Sequence, residues 1–195
     1  MFSNIISQFN WVDIFLACVI GRAIFAGFSD GFFKEFLRLI GAGATSFLLL
    51  HYFSRLAGYL NKSVFVPKPF AGILSFLTLW ATLFLIFKLI MNGFTIIFKA
   101  EVHPVFSRWG GLIVSLLQGL MVGSLVMLVF FISPVPYLGI SVDRSFSGLT
   151  VANLAPRFYK ACYDGLVVKY FPDEPFNKDA LQITRLPENK TAKKK

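Results

Sequence analysis

The stretch GFSDG at residues 27–31 matches the G-x-S-x-G pattern that holds the nucleophilic serine of many hydrolases. In those enzymes the serine lies on a sharp strand-to-helix turn, next to a histidine base and an acid that orients it. Here both flanks of Ser29 are long apolar segments. His51 is about 30 Å away along a helix and is too far to act as the base. His103 is on the same predicted membrane face as Ser29, so a hydrolase remains a minor alternative. We therefore interpret Ser29 as a turn residue.

Other sequence signatures of catalysis are missing. The chain has no Walker A string, HExxH, CxxC or GxGxxG, and neither histidine has neighbouring residues that would complete a metal site. Two cysteines in different segments do not make a disulfide framework. We expect a protein that is not an enzyme and that has no cofactor or metal.

The composition indicates that lipid is the main solvent of this chain. Of its 195 residues, 56% are hydrophobic and 15% are charged, whereas soluble domains have about 45–50% and about 25%. The mean hydropathy is +0.68. The net charge of +9 comes from residues between the apolar segments and near the C-terminus, without a nucleic-acid motif. It predicts orientation in a membrane and contact with anionic lipid rather than nucleic acid.

Four apolar segments predict four transmembrane helices, because about 20 apolar residues are needed to span a bilayer. The predicted spans are residues 11–28, 36–53, 70–90 and 109–133. They indicate an all-α integral membrane four-helix bundle within residues 1–135. The short connection between the first two spans makes them an antiparallel hairpin.

The sequence after the fourth span has a different character. Within residues 136–171, apolar side chains recur every three or four positions, which predicts an amphipathic helix. Its apolar face is formed by Val151, Leu154, Phe158, Cys162 and Leu166. This face either packs on the bundle or lies in the membrane interface. Residues 172–195 are polar and end in KTAKKK, which predicts a disordered basic tail that contacts anionic lipid.

Small residues repeat every fourth position along the fourth span. They are Gly111, Ser115, Gly119 and Gly123. Such a ladder lets another helix approach closely, and we favour packing inside one bundle over a dimer interface. Gln118, midway along this span, makes either an interhelical hydrogen bond or part of a polar path.

Ionisable residues inside a span are costly and are therefore candidates for function. Asp13 and Arg22 lie in the first span. Around the first connection, Gly27 and Gly31 are expected to form the tight bend of the hairpin.

Charges that follow this bend are expected to anchor it at the headgroups. Asp30 is expected to cap the second helix and to pair with Lys34, and Glu35 to pair with Arg38, by their helical spacing. A stronger hypothesis is that Glu35 contacts Arg22 or another helix.

Four stretches resemble the colicin V production protein family of small bacterial inner-membrane proteins. They are WVDIFLACVIG, GFSDGFFKEFLRLIGAGA, RWGGLIVSLLQGLMVGSL and SFSGLTVANLAP, and together they spread over roughly residues 10–165. The second stretch matches the family's hairpin pattern G-x-x-[KR]-G-F-x-[KR]-E at Gly27, Gly31, Phe32, Lys34 and Glu35. Asp30 stands where the family usually has a basic residue.

The resemblance implies a non-enzymatic, multi-pass inner-membrane protein that assists toxin production or export, or envelope maintenance. It would act through a membrane-protein partner or as a homo-oligomer. The alternative is a small oligomeric transporter or channel, in which Asp13, Arg22 and Gln118 line a path.

Overall fold

The computed structural model describes residues 10–62, 67–97, 104–171 and 174–184. These residues are largely helical, and no strand occurs among them. Four long helices come first: α1 (Trp11–Asp30), α2 (Phe32–Asn61), α3 (Lys68–Ile97) and α4 (Pro104–Ile132). Each contains a stretch long and apolar enough to cross a membrane. The prediction of an all-α fold with four helices that could span a membrane is therefore confirmed.

The two central helices of the bundle are α2 and α4, which pack against each other. On one side α1 packs along α4, and on the other side α3 packs along α2. Contacts of α1 with α2 are sparse. The outer helices α1 and α3 therefore leave a space between them over the central pair.

The bundle has two ends that are useful to distinguish. At the hairpin end, Phe32 at the start of α2 lies against Gly110 near the start of α4. At the opposite end, which we call the C-terminal end, the ring of Trp11 packs on Phe130 of α4.

The α1–α4 contact depends on small residues from both helices. A Cβ atom added to Gly27 would lie 2.1 Å from the Ser115 Oγ, and one added to Gly111 would lie 2.5 Å from the Gly27 carbonyl oxygen. Further along, Gly119 meets Ala23 and Gly123 meets Leu16. The structure thus places the ladder of α4 against α1 of the same chain.

The hairpin bend consists of one residue, Gly31, with φ 80° and ψ 168°. This conformation is open to glycine and strained for other residues. Gly27 lies inside α1 and serves close packing, so the expected two-glycine bend reduces to Gly31. The prediction that Asp30 caps α2 is wrong. Gly31 occupies the N-cap position, and Asp30 remains in the last turn of α1.

The described part of the C-terminal segment, residues 136–171 and 174–184, forms short helices rather than one amphipathic helix. It begins with α5 (Pro136–Arg144), in which proline takes the first helical position, as suits its missing N–H. It continues through α6 (Gly148–Ala152), α7 (Leu154–Cys162), a π-helical turn (Tyr163–Val167), α8 (Val168–Tyr170) and α9 (Asp179–Gln182).

The junction of α6 and α7 enters the bundle from the C-terminal end. It lies against Ser124, about 12 Å along α4 from Ile132 at 1.5 Å per residue. The Ser124 hydroxyl donates to the Ala152 carbonyl at 3.0 Å and accepts from the Ala155 N–H at 2.9 Å. Both backbone groups at this helix break are therefore paired, which the low-dielectric interior of a membrane requires.

The predicted apolar face packs on the bundle at Val151 and Leu154, and beyond them the buried side is shifted by one residue. Ala152, Ala155 and Tyr159 are fully buried, whereas Phe158 is 36% exposed. The breaks at residue 153 and at the π-helical turn shift the register that an unbroken helix would keep. Packing on the bundle, one of the two alternatives left open, is what the structure shows for α6 and α7.

The first part of the predicted tail, residues 174–184, packs on the bundle, contrary to expectation. Within residues 174–184, Ala180 is fully buried, and Phe176 and Ile183 pack against the core that α2 shares with α7. The rest of the tail, including KTAKKK, lies outside the described residues.

Substituting Gly27 by alanine should separate α1 from α4, because the new methyl group meets Ser115 and the Gly111 carbonyl. We expect a loss of about 1–3 kcal/mol in the free energy of unfolding, measured by denaturant titration in detergent. Gly21→Ala is the matched control on the same helix, since nothing lies within 4 Å of its added Cβ. Equal effects of the two changes would contradict the close contact.

Candidate functional site

The first polar cluster lies at the start of α1, around Asp13. The backbone N–H of Asn10 donates to the Asp13 carboxylate at 2.9 Å, and the Asn10 side-chain oxygen accepts from the Trp11 N–H at 2.7 Å. This is a capping box, which satisfies the free N–H groups at a helix start. Local sequence therefore explains why an acid stands in this first turn.

The same carboxylate also holds the C-terminal segment. It accepts the Ser147 hydroxyl at 2.6 Å, the Ser147 N–H at 3.0 Å and the Phe146 N–H at 3.3 Å. Asp13 is 5% exposed and forms no ion pair within the part of the chain that the structure describes. Its charge is therefore stabilised by N–H and O–H donors, and we call these contacts the Asp13 lock.

The second polar cluster joins the two sides of the hairpin. Glu35 is 1% exposed, and its carboxylate accepts from the Arg38 guanidinium. Arg38 also donates to the Asp30 carboxylate at 2.5 Å. The Glu35–Arg38 pair matches the sequence expectation, but Asp30 pairs with Arg38 rather than with Lys34.

Arg22 does not reach Glu35 and instead lies in a different environment. It lines a cleft of about 530 Å³ between α1 and α3, together with Arg38, Lys88 and Gln118. Asp13 does not line this cleft. The structure thus brings two of the three proposed path residues together and separates the third, which the Asp13 lock holds at the C-terminal end.

A third polar cluster at the C-terminal end was not anticipated from the sequence. His51, 4% exposed, has its Nδ1 3.1 Å from the Tyr159 hydroxyl and its Nε2 3.4 Å from the Glu174 carboxylate. When the hydroxyl donates to Nδ1, Nε2 carries the proton and can donate to Glu174. Arg55 donates to the same carboxylate at 2.8 Å.

Asn177 completes this cluster. Its side-chain amide donates to the Leu50 carbonyl at 2.6 Å, and its backbone N–H donates to the Tyr159 hydroxyl at 3.2 Å. The cluster therefore fastens residues 174–184 onto the last turns of α2. Since the residues of α2 are more than 100 positions before Tyr159, Glu174 and Asn177 in the chain, no local sequence pattern predicts these contacts.

Ser29 has the environment of an ordinary helical serine. It lies in α1, and its hydroxyl donates to the Phe25 carbonyl at 3.0 Å. The strand-to-helix turn of a nucleophile elbow is not formed around it. His103 lies outside the described residues. Within those residues, no group of three or more His, Cys, Asp or Glu side chains is arranged to hold a metal ion.

Comparison with known proteins gives one match. The model of a family described as "Colicin V production protein" matches residues 12–156. No curated protein and no solved structure matches the chain. The matched range begins next to Asp13 and ends in the first turn of α7, so it contains the four long helices except Trp11, together with the contacts of Asp13 to Phe146 and Ser147.

Replacing Asp13 by asparagine should release residues 145–148 from α1. A hydrogen bond to a charged group contributes about 1.5–3 kcal/mol to stability. The asparagine side chain keeps only one uncharged, weaker acceptor for the Phe146 and Ser147 donors. We expect faster trypsin cleavage after Arg144 in the detergent-solubilised protein. Asp164→Asn, at an exposed carboxylate, is the control and should leave the cleavage rate unchanged. An unchanged rate in the Asp13 variant would show that the lock does not hold this segment.

Docking of residues 174–184 should weaken in acid. The hydrogen bond from Arg55 holds the pKa of Glu174 below its ordinary value of 4.5. A lowered carboxyl pKa contributes stability that is complete above the ordinary value and is lost as the pH falls through the lowered one. We expect amide exchange in 174–184, corrected for intrinsic rates, to rise below about pH 4.5. In Glu174→Gln this dependence should disappear, and its persistence would assign it to other groups.

Proposed function

This chain belongs to the colicin V production protein family, and from that premise we propose that it is a non-enzymatic, multi-pass protein of the bacterial inner membrane. In this role it assists toxin production or export, or the maintenance of the cell envelope. It acts by binding a membrane-protein partner or a second copy of itself, and the surrounding lipid bilayer is its solvent.

The observation that carries this proposal is the Asp13 lock. The two sequence stretches that it joins, one around Asp13 and one around Ser147, are both among those that resemble the family, and both lie in the matched range. The lock and the Ser124 contact hold α5 and α6 in a fixed place at the C-terminal end. A fixed surface made of packed helices suits a protein that positions a partner.

Side chains on this surface fit such a role. Tyr137 and Phe146 are 64% and 61% exposed, and they lie on or directly after α5, outside the four spanning helices. Exposed aromatic side chains are enriched at protein–protein contacts and at the lipid interface. We propose that the partner binds at this end.

A transporter or channel is the second candidate function. The observation in its favour is that Arg22 and Gln118, both within spanning helices, line the same cleft. The separate position of Asp13 removes one of the three polar residues on which that hypothesis was built. We therefore rank it below the first candidate.

Complementation tests the first candidate. In a bacterial strain that makes colicin V but lacks its own family member, this protein should restore the zone of growth inhibition. Asp13→Asn should reduce that zone at equal membrane abundance, because the surface at the C-terminal end is no longer held. Ser29→Ala should restore it fully, as should the control Asp164→Asn.

Two results would contradict the proposal. Loss of the zone in Ser29→Ala would favour a hydrolase. A solute flux in liposomes that contain the purified protein, abolished by Gln118→Leu, would favour the transporter.

A further inference from the structure

The cleft between α1 and α3 has a chemistry that the proposed function does not use. Its floor is formed by α2 and α4, and its volume is about 530 Å³. Three of the side chains that line it are cations, Arg22, Arg38 and Lys88, against one acid, Asp30. Among the uncharged polar side chains are Thr45 and Gln118.

The cations lie well inside the bundle rather than at its rim. Ala23 packs against Gly119, so its neighbour Arg22 is level with Gln118. That level is about 15 Å from Arg108, where the fourth span begins, at 1.5 Å per residue. Half of a hydrocarbon core is also about 15 Å. Arg22 is therefore attached near the middle of the span, where a cation is expensive without a counter-charge.

The protein supplies a counter-charge to only one of the three cations in the described residues. Arg38 is paired with Asp30 and Glu35. Arg22 and Lys88 form no ion pair or hydrogen bond in those residues, and both are exposed to the cleft or to its surroundings. An anion that entered the cleft would therefore meet two unpaired cations.

The charged side chains of the cleft are confined to one half of it, where Phe87 and Met91 also line the wall, and the other half is apolar. The cations lie in the half towards the hairpin end, whereas Leu125 and Trp80 line the half towards the C-terminal end. Leu125 is about 10 Å beyond Gln118 along α4, and Trp80 is about 12 Å from Lys88 along α3. Phe84 and Val122 extend the apolar half. A lipid of the leaflet at the hairpin end has the same direction, with its charged headgroup towards the hairpin end and its hydrocarbon chains towards the C-terminal end.

We propose that this cleft binds the phosphate group of an anionic membrane amphiphile. The long side chains of Arg22 and Lys88 extend towards the hairpin end and contact the phosphate, whereas the hydrocarbon chain passes Gln118 and lies along Trp80 and Phe84. A guanidinium and an ammonium suit phosphate oxygens as donors. The open side between α1 and α3 faces lipid, so the ligand can enter without leaving the bilayer.

The test measures lipid binding to the full-length protein in detergent by native mass spectrometry. The probes are phosphatidylglycerol, which is anionic, and phosphatidylcholine of the same chain length, which has no net charge. We expect the wild-type protein to retain phosphatidylglycerol preferentially. The double variant Arg22→Gln, Lys88→Gln should bind it about fivefold more weakly for each cation removed.

Matched variants separate this site from general attraction to a basic protein. Arg144→Gln, Lys160→Gln removes the same charge from exposed positions outside the cleft, and its affinity should equal that of the wild type. Arg22→Lys, Lys88→Arg keeps the charge and should retain most of the binding. Equal losses in the two glutamine variants, or no loss in the cleft variant, would overturn the proposal. Unchanged helical content by circular dichroism verifies that each variant is folded.

A final arm distinguishes a lipid from a free anion. Inorganic phosphate added at millimolar concentration should not displace phosphatidylglycerol, because the chain contributes to binding through the apolar half of the cleft. Trp80→Ala should weaken lipid binding and leave any phosphate binding unchanged. Displacement by phosphate, with no effect of Trp80→Ala, would identify a site for a soluble anion and reject the amphiphile.

Discussion

The interior of a membrane offers no water to an unpaired backbone group, and this constraint governs how the C-terminal segment is built. A straight helix satisfies the constraint by itself, but α6 and α7 are separated by a break that lies about 12 Å inside the bundle. One hydroxyl, that of Ser124, serves the carbonyl on one side of the break and the N–H on the other. Without such a two-sided partner, the segment would have to remain outside the bundle, and the buried position of Tyr159 would not exist.

Each outer helix of the bundle packs closely on one central helix, and this packing leaves a space between α1 and α3. Glycine and serine on α4 bring α1 so close that its backbone touches theirs, while Gly41 on α2 lies against Phe87 and Met91 of α3. Thus α1 packs on α4, and α3 packs on α2. The described residues do not fill the space between the outer helices, and the charges that line it restrict what can enter.

Sequence reasoning was most successful where the signal was local and periodic. The four spans follow from length and hydropathy, and the Glu35–Arg38 pair follows from spacing on one helix. It failed where distant parts of the chain meet. Asp13 was identified as a candidate, but its partner Ser147 is 134 residues away, and nothing in either stretch names the other. The apolar face of α7 was misplaced because the helix breaks that rotate it are set by tertiary packing.

That long separation also orders events during synthesis. The first span enters the membrane long before Ser147 is made, so for most of the time that the chain is being translated, the carboxylate of Asp13 has only the donor of its own capping box. The lock closes when the last span is in place and the segment behind it folds back. The Asp13 carboxylate, in the first turn of α1, thus gains its full set of donors only when the four-helix unit has been assembled, and a chain that ends before Phe146 leaves it with the Asn10 N–H alone.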